Sequence, residues 1–292
     1  MQEENDIAQP QYALPKKKYD YPLRYDEHMI TVKILRPPLV LDANFPYVNR
    51  SFRRRLWQFF TYAIVLFFIG FPLSLLRMGL RIKGRKNLKT NKELLKNGAV
   101  SICNHVHWWD GVAVAKAIRR RMWIPGWAGN FQGPNAGKLK GIGTIPIPEN
   151  YGGKKAFSKA LDGLAEEGAW IHYYPEGSLW FYYDAIRPFK TGAFRLAVKH
   201  NRPIVPMCFT YRPLKGIHKL FRRGGVSVTL HVGEPIMPNL SLPYTDAIED
   251  LLVRSREKMH QMSGFHKRID QNAMEREVEE EEQSKSSDEE VA

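Results

Sequence analysis

The chain has 292 residues, 43% of them hydrophobic and 25% charged, with a formal net charge of +14 and two cysteines. That length allows one sizeable domain with extensions, and two cysteines, with no Cys-x-x-Cys or Cys/His spacing, exclude a disulfide framework and suggest no zinc site. Ten acids against two bases give residues 270–292 a net −8, which leaves +22 on residues 1–269, a body suited to an anionic partner such as nucleic acid or the negative leaflet of a membrane.

Residues 1–50 form a polar arm with six prolines and the triplet Lys16-Lys17-Lys18. Proline argues against a long helix there, and the run HMITVKIL is expected to form one short strand. Residues 51–86 follow as a membrane-anchoring segment with basic flanks. Between Arg55 and Arg77 lie 21 residues without a formal charge, enough to cross a bilayer, which takes about 20. Gly70 and Pro72 interrupt the segment, so a kinked transmembrane helix and a pair of interfacial or dipping helices are both compatible with it. Basic clusters on both sides, Arg53–Arg55 and Arg77–Lys86, suit a segment that enters and leaves one face. The sequence is read as that of a cell-membrane protein on the cytoplasmic face, with the bilayer as partner and no nucleic acid, because no Arg/aromatic recognition motif accompanies the charge.

From 87 to 264 the pattern alternates between strand and helix. Strand-like runs are Gly98–Cys103, Arg121–Trp127, Gly143–Ile147, Ala169–Tyr174, Ile204–Tyr211 and Val226–Gly233. Helix-like runs are Gly111–Arg120, Lys154–Glu167, Thr191–His200 and Tyr244–Met262. Alternation of this kind predicts an α/β fold, a helix-covered, mostly parallel or mixed sheet preceded by the apolar anchor, with ligands at the strand ends. Residues 265–292 read as an acidic, disordered tail.

The candidate chemistry starts at Asn104-His105-Val106-His107-Trp108-Trp109-Asp110, where an apolar strand ends and a helix begins. An imidazole titrates near neutrality, and a carboxylate on its far nitrogen fixes the tautomer and stabilises the cation formed when the ring takes a proton. His105 and Asp110, five apart across a strand-to-helix turn, therefore form a candidate general-base pair. Asp110 is also expected to cap its helix. Downstream, Pro175-Glu176-Gly177-Ser178 follows a strand, and Arg187-Pro188-Phe189-Lys190-Thr191-Gly192 opens a helix whose free amides could face an anion.

Taken in order, Asn104-His105 with Asp110, Gly141-Ile142-Gly143-Thr144-Ile145-Pro146-Ile147, Pro175-Glu176-Gly177 and Ile204-Val205-Pro206 resemble the four blocks of the glycerolipid acyltransferases, the 1-acyl-glycerol-3-phosphate acyltransferase family. The resemblance covers roughly residues 55 to 235. It implies transfer of a fatty acyl group from acyl-CoA, acyl carrier protein or an acyl phosphate to a lysophospholipid hydroxyl, in phospholipid synthesis and with no cofactor or metal. It makes His105 the base and Asp110 its partner. It places Glu176 and Gly177 at the acceptor, the Pro206 block on the acyl-donor side, and Asn104 and Ser178 in the same substrate-binding set.

Two positions depart from that pattern. The second block usually continues to an arginine where this chain has Pro148 and Glu149, and the third usually reads Glu-Gly-Thr-Arg where this chain has Leu179. Arginine is the favoured bidentate partner of phosphate. Lys138, Lys140, Arg187, Lys190 and Arg212 are candidate substitutes, and an acceptor without phosphate is the alternative. Two further readings stand beside the acyltransferase: a metallohydrolase using His105, His107 and Asp110, and a non-catalytic membrane-surface protein.

Overall fold

The computed structural model describes residues 12–265, apart from 26, 31, 71, 73–75, 77 and 222–224. The acidic tail and the first 11 residues lie outside the described residues.

Seven strands form one sheet: β1 (Arg81–Lys83), β2 (Ala99–Cys103), β3 (Met122–Trp127), β4 (Thr144–Ile147), β5 (Trp170–Tyr173), β6 (Ile204–Arg212) and β7 (Ser227–Val232). Their order is β1-β7-β6-β2-β5-β3-β4. Every pair is parallel except β6 with β7. The sheet is thus mixed and mostly parallel, and β2 lies at its centre with all five residues buried. Parallel strands covered on both faces read as continuous apolar runs, which is why GAVSIC and PIVPMCF stand out in the sequence. The expected six strands form within two residues of their expected limits. β1 is an addition, three residues in the basic flank, too short to carry a pattern of its own.

The helices are α1 (Phe52–Ile64), α2 (Lys86–Thr90), α3 (Asp110–Ile118), α4 (Ala136–Gly141), α5 (Tyr151–Glu166), α6 (Gly192–Lys199), α7 (Ile217–Phe221) and α8 (Tyr244–Ser263). α8 buries Ala247, Ile248, Leu251, Ser255 and Met259, a stripe at three- and four-residue spacing that packs on β6 and α6. Asn150 caps α5, its side chain accepting from the Gly153 N–H at 2.7 Å.

α1 runs into a single wider π turn, Val65–Gly70, and no helix among the described residues is long and apolar enough to cross a membrane. Nor is α1 a core helix. Its polar Gln58 is 4% exposed while Phe59 and Phe60 are 65% and 54% exposed. Gln58 donates to the Lys140 carbonyl at 3.3 Å and accepts from Arg121, and the Tyr62 hydroxyl donates to the Arg120 carbonyl at 3.0 Å. The helix turns its polar face to the domain and its aromatic face outward.

The N-terminal arm does not form the expected strand among its described residues. The described residues of HMITVKIL form no ladder, because the arm crosses the strand ends instead of joining the sheet edge. From Ala13, whose N–H donates to the Tyr211 carbonyl, it passes the loop after β5, reaches the Gln132 carbonyl through the Leu35 N–H, and ends beside α5, where Arg50 pairs with Glu167 at 2.6 Å.

Candidate active site

The carboxyl ends of β2, β5 and β3 lie side by side, and the loops leaving them carry the candidate chemistry. β2 delivers Asn104 and His105. Asn104 is fully buried; its side-chain oxygen accepts from the Phe209 N–H at 2.7 Å and its amide donates to the Phe209 carbonyl at 3.3 Å. Asn104 thus prolongs the β2–β6 pairing by one side-chain step and fixes where the chain leaves the sheet.

His105 Nδ1 lies 2.9 Å from Asp110 Oδ2. The same oxygen accepts from the Val106 and His107 N–H groups at 2.7 and 2.9 Å. The expectation that Asp110 caps α3 is therefore corrected: Trp109 occupies the N-cap position and Asp110 is the first residue of the helix, its side chain reaching backwards to tie the loop that presents His105. A fully buried carboxylate accepting three hydrogen bonds through one oxygen orients the ring and stabilises an imidazolium beside it. With Nδ1 as donor, Nε2 is the acceptor nitrogen, and the side chain is 24% exposed.

Behind the ring stands Tyr174, its phenol stacked on the imidazole with centroids 3.9 Å apart and planes within 15°. Burial, with Asp110 nearby, raises the Tyr174 phenol well above its ordinary pKa, so it stays neutral. His172 meets Tyr174 edge-on, 4.7 Å between centroids. Its Nδ1 is 2.9 Å from Ser101 Oγ, which accepts from the Trp170 indole at 2.8 Å. Cys103 is also fully buried, and burial raises its thiol well above the ordinary range, so no thiolate nucleophile stands here.

Glu176 is 3% exposed and does not face open space. Its Oε2 accepts from the His105 N–H at 3.2 Å and from the Arg187 guanidinium at 2.8 Å, and Oε1 accepts from the Arg187 N–H at 3.1 Å. Arg187 also donates to Ser178 Oγ at 2.7 Å and to the Ser178 carbonyl. It is 1% exposed and lies over the Trp180 ring at 4.4 Å. The expectation that Arg187 replaces the missing phosphate ligands is corrected: its charge is consumed inside the loop, and Ser178 is consumed with it.

Lys190 is different. It is exposed, its N–H donates to the Pro175 carbonyl at 2.8 Å, and its side chain crosses directly over Gly177. A Cβ on Gly177 would fall 2.8 Å from Lys190 Cε and 3.0 Å from Nζ, and the Gly177 backbone has φ +81°; both the turn and the overlying lysine require glycine.

The structure does not bring Lys140, Arg212 or Pro206 to this cluster. Lys140 ends α4 where the chain returns to the start of β4. Arg212 bonds Thr229 and the Gly79 carbonyl. Pro206 is buried opposite Ile102, six residues back from the end of β6, its carbonyl accepting from the Gly233 N–H at 2.8 Å. The proposed donor-side lining is thus sheet core.

His107 Nδ1 accepts from the Trp109 N–H at 3.3 Å and its ring lies edge-on to Tyr182 at 5.7 Å. Among the described residues no three His, Cys, Asp or Glu side chains group as metal ligands.

What the sequence reading missed is the arm. Tyr21 and Tyr25 stack near Trp180 at 5.7 and 5.8 Å, the Trp180 indole donates to the Glu27 carbonyl at 3.2 Å, and Arg187 donates to the Tyr25 carbonyl at 3.4 Å. Trp180 and Tyr183 are therefore a small second core roofed by the arm. The available signal was the run of tyrosines at 12, 19, 21 and 25 in an otherwise polar segment.

Residues 79–210 match the family model described as Acyltransferase. No curated protein matches the chain. Among solved structures, the crystal structure of the 1-acyl-sn-glycerophosphate (LPA) acyltransferase PlsC from Thermotoga maritima is similar, with 16% identity and a TM-score of 0.41, over 72% of this chain and 97% of that one.

Proposed function

The chain belongs to the acyltransferase family through residues 79–210, and on that premise we propose that it transfers a fatty acyl group to the hydroxyl of a lysophosphatidate-like lipid with His105 as the base. The observation that carries the reading is the 2.9 Å contact between His105 Nδ1 and buried Asp110, which leaves Nε2 as the acceptor on a partly exposed ring. Nε2 takes the proton of the acceptor hydroxyl as its oxygen attacks the acyl carbonyl. The carbonyl carbon's bond to the thioester sulfur, or to the acyl-phosphate oxygen, then breaks, and the leaving group takes the proton from the imidazolium. The products are the new ester and the free thiol or phosphate. A base positioned in this way supplies a factor of about 10² to 10⁴.

Membrane association at the cytoplasmic face belongs to the same proposal. The outward aromatic face of α1 supports it, continued in the π turn by Phe67 and Phe68, each 77% exposed, as does Trp108, 56% exposed in the loop after β2; aromatic rings favour the membrane interface. The +22 body adds attraction to anionic lipid, and two free buried cysteines suit a reducing compartment.

The test is a panel assay of detergent-solubilised protein, with labelled acyl-CoA, acyl carrier protein and acyl phosphate donors against lysophosphatidate, other lysophospholipids, and neutral or sugar-bearing acceptors. Transfer to a phosphate-bearing acceptor, abolished in His105→Ala with vesicle binding unchanged, is the expected result. Normal turnover by His105→Ala would sink the mechanism.

A further inference from the structure

The arm brings His28 to the strand ends, two strands along from His105. Both neighbours of His28 are pinned to the loop that follows Gly177: the Glu27 carbonyl accepts from the Trp180 indole at 3.2 Å, and Met29 Sδ accepts from the Phe181 N–H at 3.4 Å. The imidazole then lies flat on Trp127 at the end of β3, with centroids 4.6 Å apart and planes at 28°. Held through the Glu27 main chain on one side, the Met29 side chain on the other and Trp127 across its face, this exposed ring has a defined position. Its charged neighbours are Lys190 and Arg187, and with burial they hold its pKa below the ordinary histidine value. Arg187 is already paired with Glu176. Among the described residues no carboxylate pairs with His28 or Lys190, and Lys190 lies close enough to act on the His28 charge, so the two nitrogen donors form a cationic neighbourhood that an anion relieves.

Resting on the acyltransferase reading, we propose that His28 is a specificity-determining residue for the acceptor, gripping together with Lys190 an anionic headgroup of the phosphomonoester class beside the Trp127 ring. Leu179, at the position where the family pattern carries arginine, is buried and has no charge to offer; the arm supplies the second donor instead. The spacing fits. Adjacent strands lie about 4.8 Å apart, so Lys190, over the end of β5, is one step from His105 and His28, over β3, is two, a range that a three-carbon glycerol bridge spans between its free hydroxyl and its phosphate.

The experiment is steady-state kinetics of the full chain and of His28→Ala and His28→Gln, with lysophosphatidate and with its phosphate-free counterpart, a monoacylglycerol, alongside thermal unfolding of each variant. Losing one charge-assisted contact should raise KM for lysophosphatidate about tenfold in both variants. The value of kcat, the unfolding temperature and all monoacylglycerol kinetics should stay within about twofold or unchanged. Equal effects on both acceptors, an unaltered KM, or a parallel loss of kcat and stability would overturn the proposal. If the unmodified protein acylates only neutral acceptors, the headgroup assignment fails while acyl transfer stands; if it acylates none of the panel, the functional reading itself fails.

Discussion

Glu176 holds His105 by its main chain and not by its ring, accepting from the His105 N–H at 3.2 Å while its other contacts go to Arg187. His105 is thus located twice, from the ring side by Asp110 and from the backbone side by an ion pair that is almost wholly buried. Glu176→Gln keeps the shape and an accepting oxygen but leaves the guanidinium of Arg187 without its counter-charge. Breaking a buried pair from one side costs about 3 to 5 kcal/mol. Denaturant unfolding of Glu176→Gln should show a loss of that order together with reduced kcat. A variant as stable and as active as the parent would mean the pair does not hold the loop.

Tyr174 supports the same ring across its face. Its hydroxyl is buried with no hydrogen-bond partner among the described residues, so Tyr174→Phe removes that polar group and keeps the stacked surface. Stability should be unchanged or slightly higher, since an unsatisfied buried hydroxyl costs about 1 to 3 kcal/mol. Tyr174→Ala removes the backstop and should cost about 3 kcal/mol through the cavity, with kcat falling more than KM rises because the imidazole loses its orientation. Stopped-flow or steady-state kinetics on the two variants separates them; equal damage from both would show that the hydroxyl, not the ring face, matters.

The sheet and the His105–Asp110 contact are legible in the sequence because each is written in local pattern. Buried parallel strands are continuous apolar runs, and His105 and Asp110 flank one turn. The remainder depends on contacts between distant segments. Nothing local in Asn104, Ser178 or Pro206 distinguishes a side chain that lines a groove from one that seals a strand, and each turns out to be bonded to protein. Arg187 reads as a free cation until Glu176, 11 residues earlier, is seen beside it. The arm is the largest omission: its prolines erase any periodicity, and it is held by single aromatic contacts and main-chain bonds to residues some 150 positions away.

His172 should shape the acid stability of the fold. Burial, reinforced by nearby His105, pushes its imidazole down to about 3, against about 6.5 in an unfolded chain. Above the unfolded value both states are neutral and His172 adds no pH dependence. As pH falls below it, the unfolded chain binds a proton that the folded chain refuses, and stability drops by about 1.4 kcal/mol per pH unit until the folded value is reached. His172→Gln retains a hydrogen-bonding side chain beside the Ser101 hydroxyl and has nothing to titrate. Unfolding free energies measured at pH 7, 6 and 5 should fall less steeply for this variant than for the parent, and parallel slopes would contradict the assignment.

The outward face of α1 gives the last prediction. A helix that buries glutamine and exposes phenylalanine is inverted relative to a surface helix in water, and the simplest environment that corrects the inversion is lipid. Burying one phenylalanine is worth about 1.5 to 3 kcal/mol, so Phe59→Glu and Phe60→Glu should each weaken partitioning into vesicles containing anionic lipid by at least about tenfold. Neither side chain packs in the domain core, so the unfolding temperature of both variants in detergent should match that of the parent. High salt should weaken the binding of parent and variants alike, since it screens the basic body but not the aromatic face. Sedimentation with vesicles at two salt concentrations reads both contributions. Undiminished partitioning of the double variant at high salt would assign the aromatic face to something other than a bilayer.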